Sequence, residues 1–193
     1  MASVLAPHVV EPSDCRSPLP HPNLMPNWPR TYRSGTHQGL DYQCFMRGRI
    51  AVAAMDGRVA VAVGDFDDPA PDDRDALLDT AAQLDRTPPH TLTMLYGNYV
   101  VLDHGVIDGA GHVVTIYSHL EAVNSNLRIG QMVSAGDRLA TIGNRGTSAA
   151  AAGDFDFDPH LHWELHVDDL YLAAGLTPDQ TRQVYETLFS DSG

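Results

Sequence analysis

His160-Leu161-His162-Trp163-Glu164-Leu165-His166 puts a polar or ionisable side chain at every second position and an apolar one between. In an extended strand alternate side chains share a face, so His160, His162, Glu164 and His166 line one side. Leu161, Trp163 and Leu165 line the other, as expected of a strand with one buried face. Imidazole is the commonest metal ligand and a proton carrier near neutral pH. Burying such a row without partners is costly. The pattern therefore reads as a site strand, with a solvent-facing histidine row as the alternative.

The same period recurs upstream. Ile50–Val63 gives two strands broken at Asp56-Gly57, a strong hairpin signal. Tyr96–Gly105 and Val113–Leu120 form a further pair around a glycine-bearing turn at Asp108–Gly111, and short strands follow near Val133 and Leu139–Gly143. The fold class is all-β, a small antiparallel β-sheet or sandwich domain with short loops, an acidic insertion and one C-terminal helix over Pro178–Phe189. The expected division is a Pro-rich arm at 1–30, a domain at 31–167 and a C-terminal helical extension at 168–193. The insertion is 65–93, where Leu77, Ala81 and Leu84 mark a short amphipathic helix over Asp75–Arg86. Its acidity and bracketing prolines read as a solvated surface excursion; an acidic lid is the alternative.

Composition removes several function classes. The net charge is −13, and all twelve basic residues are arginine. Nucleic-acid binding through a basic face is therefore not expected. The absence of lysine excludes Schiff-base catalysis and lysine-borne lipoyl or biotinyl groups. No apolar run reaches the roughly 18 residues of a membrane span, and no signal peptide is visible at the start. Cys15 and Cys44 could close a loop of about 30 residues or remain free thiols.

Candidate chemistry gathers at a few strand ends. His37 and Asp41 sit in Ser34-Gly-Thr-His-Gln-Gly-Leu-Asp41, and His119 ends Tyr117-Ser-His119. With His160 and His162 they offer a carboxylate and several imidazoles. A hydrolytic zinc site needs three protein ligands, an open position and groups for proton transfer. The inventory suits an amide hydrolase.

The chain resembles the zinc metallopeptidases of the lysostaphin and LytM type, peptidase family M23. The resemblance rests on His37-Gln-Gly-Leu-Asp41, Tyr96–Gly105, Tyr117-Ser-His-Leu120, Val133-Ser-Ala-Gly-Asp137, Ile142-Gly-Asn-Arg-Gly146 and Pro159-His-Leu-His-Trp-Glu164, in the family's order over roughly residues 30–167. It implies that His37, Asp41 and His162 bind zinc and that His119 and His160 are the catalytic histidines. It gives Glu164 a supporting role and leaves His166 a surface histidine. It implies a peptidoglycan peptide as substrate and an extracytoplasmic location. The oligomeric state is left open, with a monomer favoured. A non-catalytic peptidoglycan-binding or regulatory module on the same scaffold is the rival. A cupin would need its glutamate and last histidine further downstream than Glu164 and His166 lie.

Overall fold

The computed structural model describes residues 1–190; the last three residues of the expected 168–193 extension lie outside the described residues. In chain order the strands are β1 (Pro29–Arg30), β2 (Gly35–Thr36), β3 (Leu40–Gln43), β4 (Ile50–Val52), β5 (Gly57–Val63) and β6 (Asn98–Ile107). β7 (Gly111–Val123), β8 (Met132–Val133), β9 (Arg138–Ile142), β10 (His160–Val167) and β11 (Leu170–Tyr171) follow. The helices are α1 (Ala2–Leu5), α2 (Pro71–Gln83), α3 (Pro89–Tyr96), α4 (Ser148–Ala151) and α5 (Pro178–Leu188).

The main sheet runs β11-β10-β7-β6-β5-β8, with β3 also on β10 and β9 joining β7 to β4. Every ladder is antiparallel. The all-β reading holds. β10 sits inside the sheet, between β3 and β7, so both of its edges are paired. Leu161, Trp163 and Leu165 are fully buried, and the Trp163 ring lies 5.9 Å from that of Phe189 beyond α5. α5 starts where it does because Thr177 and Gln180 form a reciprocal capping box with Pro178 in the first turn. Tyr185 and Leu188 of α5, and Leu5, Val9 and Met25 from the Pro-rich arm, join the same core. Among the described residues no helix is long and apolar enough to cross a membrane.

Two local expectations change. β4 and β5 do form, but not as a hairpin: β4 pairs with β9, while β5 pairs with β6 and β8. A two-residue hairpin turn of the Asp-Gly type needs positive φ at its glycine, and Gly57 is not among the positive-φ residues. Asp56 instead accepts from the Ala135 N–H through its side chain and from His104 Nδ1 through its carbonyl, anchoring the turn to other strands.

The acidic segment also differs. Its helix begins earlier, at Pro71, and a second helix opens at Pro89. Both prolines occupy the first helical turn, where a missing N–H costs nothing. They start helices rather than merely bracket a loop. Tyr96 ends α3 instead of opening a strand, because Gly97 at φ +66° breaks the helix. Ala81 and Thr91 are fully buried, so the segment has an inner face as well as a solvated one.

Cys15 and Cys44 are joined by a disulfide, which ties the arm to the end of β3. At a sequence separation of 29, loss of the bridge is expected to lower stability by about 3–4 kcal/mol on chain-entropy grounds. Denaturant unfolding of Cys15→Ser/Cys44→Ser beside the oxidised parent checks this; equal midpoints would show that packing alone holds the arm.

Candidate metal centre

Strand register builds the centre. Asp41 on β3 and Ser118 on β7 both lie directly opposite His162 on β10. His37 precedes β3 and reaches the same point because its Nδ1 meets the Met25 carbonyl at 2.9 Å. Gly39 permits this approach: a Cβ there would run into the Trp163 carbonyl. His37 Nε2 lies 2.9 Å from Asp41 Oδ1 and 3.0 Å from His162 Nδ1, which is 2.8 Å from the same Oδ1. All three residues are buried, and their donor atoms fall within 4.8 Å of one another.

Hydrogen-bond partners assign the protons. His37 Nδ1 can only donate to a carbonyl, so in the neutral ring Nε2 carries the lone pair. His162 Nε2 donates to Glu164 Oε1 at 2.8 Å, leaving the lone pair on Nδ1. Asp41 Oδ1 is an acceptor. With both rings neutral, three lone pairs converge on one point, an arrangement relieved by a shared proton or by a metal ion in its place. Donor atoms of a tetrahedral site with bonds of about 2.0–2.1 Å stand roughly 3.3–3.4 Å apart. The observed triangle is a few tenths tighter, and two imidazoles with one carboxylate are a zinc-type donor set. The residues fit the metal.

Electrostatics agrees. Burial pushes the Asp41 carboxyl up, but His37 and the His162 hydrogen bond outweigh it and hold it well below the usual range. Burial opposes the charged form of His162, yet bonds to Asp41 and Glu164 raise it to about 9. Proton and metal compete for one lone pair.

The supporting groups are specific. Arg30 Nη2 donates to Asp41 Oδ2 at 2.8 Å, fixing the carboxylate's outer oxygen. Glu164, almost fully buried, accepts from His162, from His166 Nε2 at 2.6 Å and from Tyr96 Oη at 3.0 Å. Burial would raise its carboxyl, but the bonds from His162 and His166 lower it. His166 is therefore not a free surface histidine; it is half-buried and bound to the carboxylate that orients His162. Such outer partners typically govern metal affinity by about 10–100-fold. Glu164→Gln is accordingly expected to weaken metal binding by about that factor with the fold intact, as competition titration against a chelator would read; unchanged affinity would reduce Glu164 to packing.

His119 and His160 stand beside this triangle. Their ring centroids are 4.6 Å apart, and His119 lies 5.9 Å from His162. His119 adopts φ +59° inside β7, a left-handed conformation rare outside glycine and concentrated at functional sites. Its Nδ1–H donates to the Arg145 carbonyl at 2.7 Å, and that of His160 to the Asp158 carbonyl at 2.8 Å. Each ring therefore has an Nε2 lone pair not used by these bonds. Burial, then the neighbouring His160 and His162, push His119 well below the ordinary imidazole range and keep it neutral.

His37, Asp41, His119, His160 and His162 line one cavity of about 660 Å³; His166 of the same row does not. Arg30 went unread because its placement depends on the two-residue β1–β2 ladder, too short to show a period. Tyr96 lay inside a quoted motif without a role.

An all-β domain bearing a His/Asp/His cluster is what the chain presents. Residues 82–174, just under half of the chain, match the model of peptidase family M23. That match includes His119, His160 and His162; His37 and Asp41 lie upstream of it. The chain is 38% identical over 72 residues to an uncharacterized metalloprotease of Haemophilus influenzae, a stretch covering 37% of this chain and 12% of that protein. The fold resembles that of a candidate M23 peptidase of Pseudomonas aeruginosa at TM-score 0.50 and 18% identity, over 94% of this chain and 50% of that one. The catalytic domain of lysostaphin from Staphylococcus simulans gives TM-score 0.46 and 18% identity, over 82% of this chain and 88% of that one. The chain thus spans about half of the solved Pseudomonas structure and a small part of the Haemophilus protein.

Proposed function

We propose that the chain is a zinc-dependent endopeptidase that hydrolyses peptide bonds in bacterial peptidoglycan, in cross-bridges or stem peptides. The observation that carries this reading is the convergence of donor atoms from His37, Asp41 and His162 beside two further imidazoles. Zinc held by those three residues supplies Lewis-acid activation of a water and of the scissile carbonyl.

The remaining work falls to the chain's own side chains. His119 and His160, each anchored through Nδ1–H to a backbone carbonyl, present Nε2 to the cavity. One accepts the proton of the attacking water at Nε2; the other, once protonated at Nε2, donates to the oxyanion or to the leaving amine. Arg30 and Glu164 hold Asp41 and His162 in place. We take residues 31–167 as the peptidase unit, with 1–30 as an arm and 168–193 as a C-terminal extension. The disulfide and the family resemblance support action outside the cytoplasmic membrane. The strongly acidic charge argues against a nucleic-acid partner.

The test is zinc content of protein purified without chelator, measured beside release of free amino groups from purified peptidoglycan. Bound zinc with amine release supports the proposal. Zinc with tight wall binding and no release favours the non-catalytic module, and chain without zinc or release overturns the metallopeptidase reading.

A further inference from the structure

We propose that Arg74, with Arg33 beside it, forms a carboxylate-binding subsite in the active-site groove, reading an acidic group of the peptide substrate. The inference deepens the peptidase reading and rests on it for the ligand being a peptide. The subsite itself rests on two buried cations.

Arg74 sits on α2, in the most acidic stretch of the chain. Its neighbours Asp72, Asp73 and Asp75 are exposed, whereas Arg74 turns inward and keeps only 9% of its surface. There it lines the cavity that holds His37, Asp41, His119 and His162. Its Nε is buried with no hydrogen-bond partner. Among the described residues no carboxylate pairs with it. A buried guanidinium Nε–H without a hydrogen bond, on a side chain with no counter-charge, is unfavourable, and native structures rarely keep one without reason.

Arg33 repeats the pattern. It is 7% exposed and donates only to neutral oxygens, Thr87 Oγ1 at 3.0 Å and the Thr36 carbonyl at 2.6 Å. α2 packs against the turn Thr31–Arg33 that carries it. Both arginines line the same groove wall region, next to a centre that would itself hold a cation. The carboxylates of the groove are not available to neutralise them. Asp41 is taken by Arg30 and the histidines, and Glu164 by His162, His166 and Tyr96. Asp75 and Asp158 also line the groove and form no ion pair with either guanidinium.

In a chain of net charge −13, two uncompensated cations facing one cavity select an anion. A planar guanidinium matches a carboxylate through paired N–H donors. The chemistry of a stem peptide provides such groups on acidic residues and at its end.

The experiment is calorimetric binding of a synthetic stem peptide, L-Ala-γ-D-Glu-L-Lys-D-Ala-D-Ala, against its counterpart with every carboxyl converted to carboxamide. The host is the zinc-loaded full chain carrying His160→Ala, which keeps the peptides intact. The amide form is expected to bind about 10- to 100-fold more weakly. Arg74→Gln in that host should remove the discrimination. Equal affinity for both peptides, no binding of either, or discrimination that survives in folded Arg74→Gln would each overturn the subsite. The acid-to-amide comparison needs no change at Arg74, so a misfolded variant leaves it decisive. Acid preference in a chain that cuts no peptidoglycan would keep the subsite and sink the peptidase. Cleavage without acid preference would do the reverse.

Discussion

His162→Ala is expected to lose zinc and turnover together, to the limit of detection in both. His162 Nδ1 lies within 3.0 Å of both His37 Nε2 and Asp41 Oδ1, so its removal takes one corner from a three-donor site. Two donors cannot retain a metal that structural and catalytic sites hold with at least three protein ligands. The loss extends inward, because Glu164 would then be a buried carboxylate short of its main partner. His37→Ala and Asp41→Ala should behave alike. Elemental analysis after purification without chelator, read beside hydrolysis of a wall peptide, checks all three. Zinc retained in the His37→Ala/Asp41→Ala double variant would remove the proposed ligand set.

His119→Ala and His160→Ala are expected to keep zinc and to lose about 10²–10⁴-fold in kcat. Neither ring touches the donor triangle by hydrogen bond; each is held by a backbone carbonyl, from Arg145 and from Asp158. Their removal therefore leaves the metal residues and their outer partners in place. The contrast is sharpest between His160 and His162, two positions apart on one strand face. Zinc stoichiometry and turnover measured on both variants separate the roles. Metal lost from His160→Ala and kept in His162→Ala would reverse the assignment, and parental turnover in every variant would end the peptidase reading.

Much of the site was legible because alternation is a local property. The period-two row His160–His166 announced a strand with one apolar and one chemical face, and β10 has both. The His37–Asp41 spacing is likewise short enough to be seen in one turn of chain. Asp56-Gly57 shows the limit: the dipeptide marked a break between strands correctly, but pairing partners are chosen by distant ladders, and β4 went to β9.

The sequence by itself determined the strand period, the residue types able to bind a metal, and a net charge of −13 carried without lysine. Those depend on side-chain chemistry and on neighbours along the chain. Tertiary structure alone decided what joins them. Asp41 faces His162 through β3–β10 register across 121 residues, Arg30 reaches Asp41 from a two-residue ladder, and Cys15 meets Cys44. It also decided that the acidic segment turns Arg74 inward and that His166 serves Glu164. Burial and hydrogen bonding between remote segments settle such matters, and neither leaves a periodic mark in the chain.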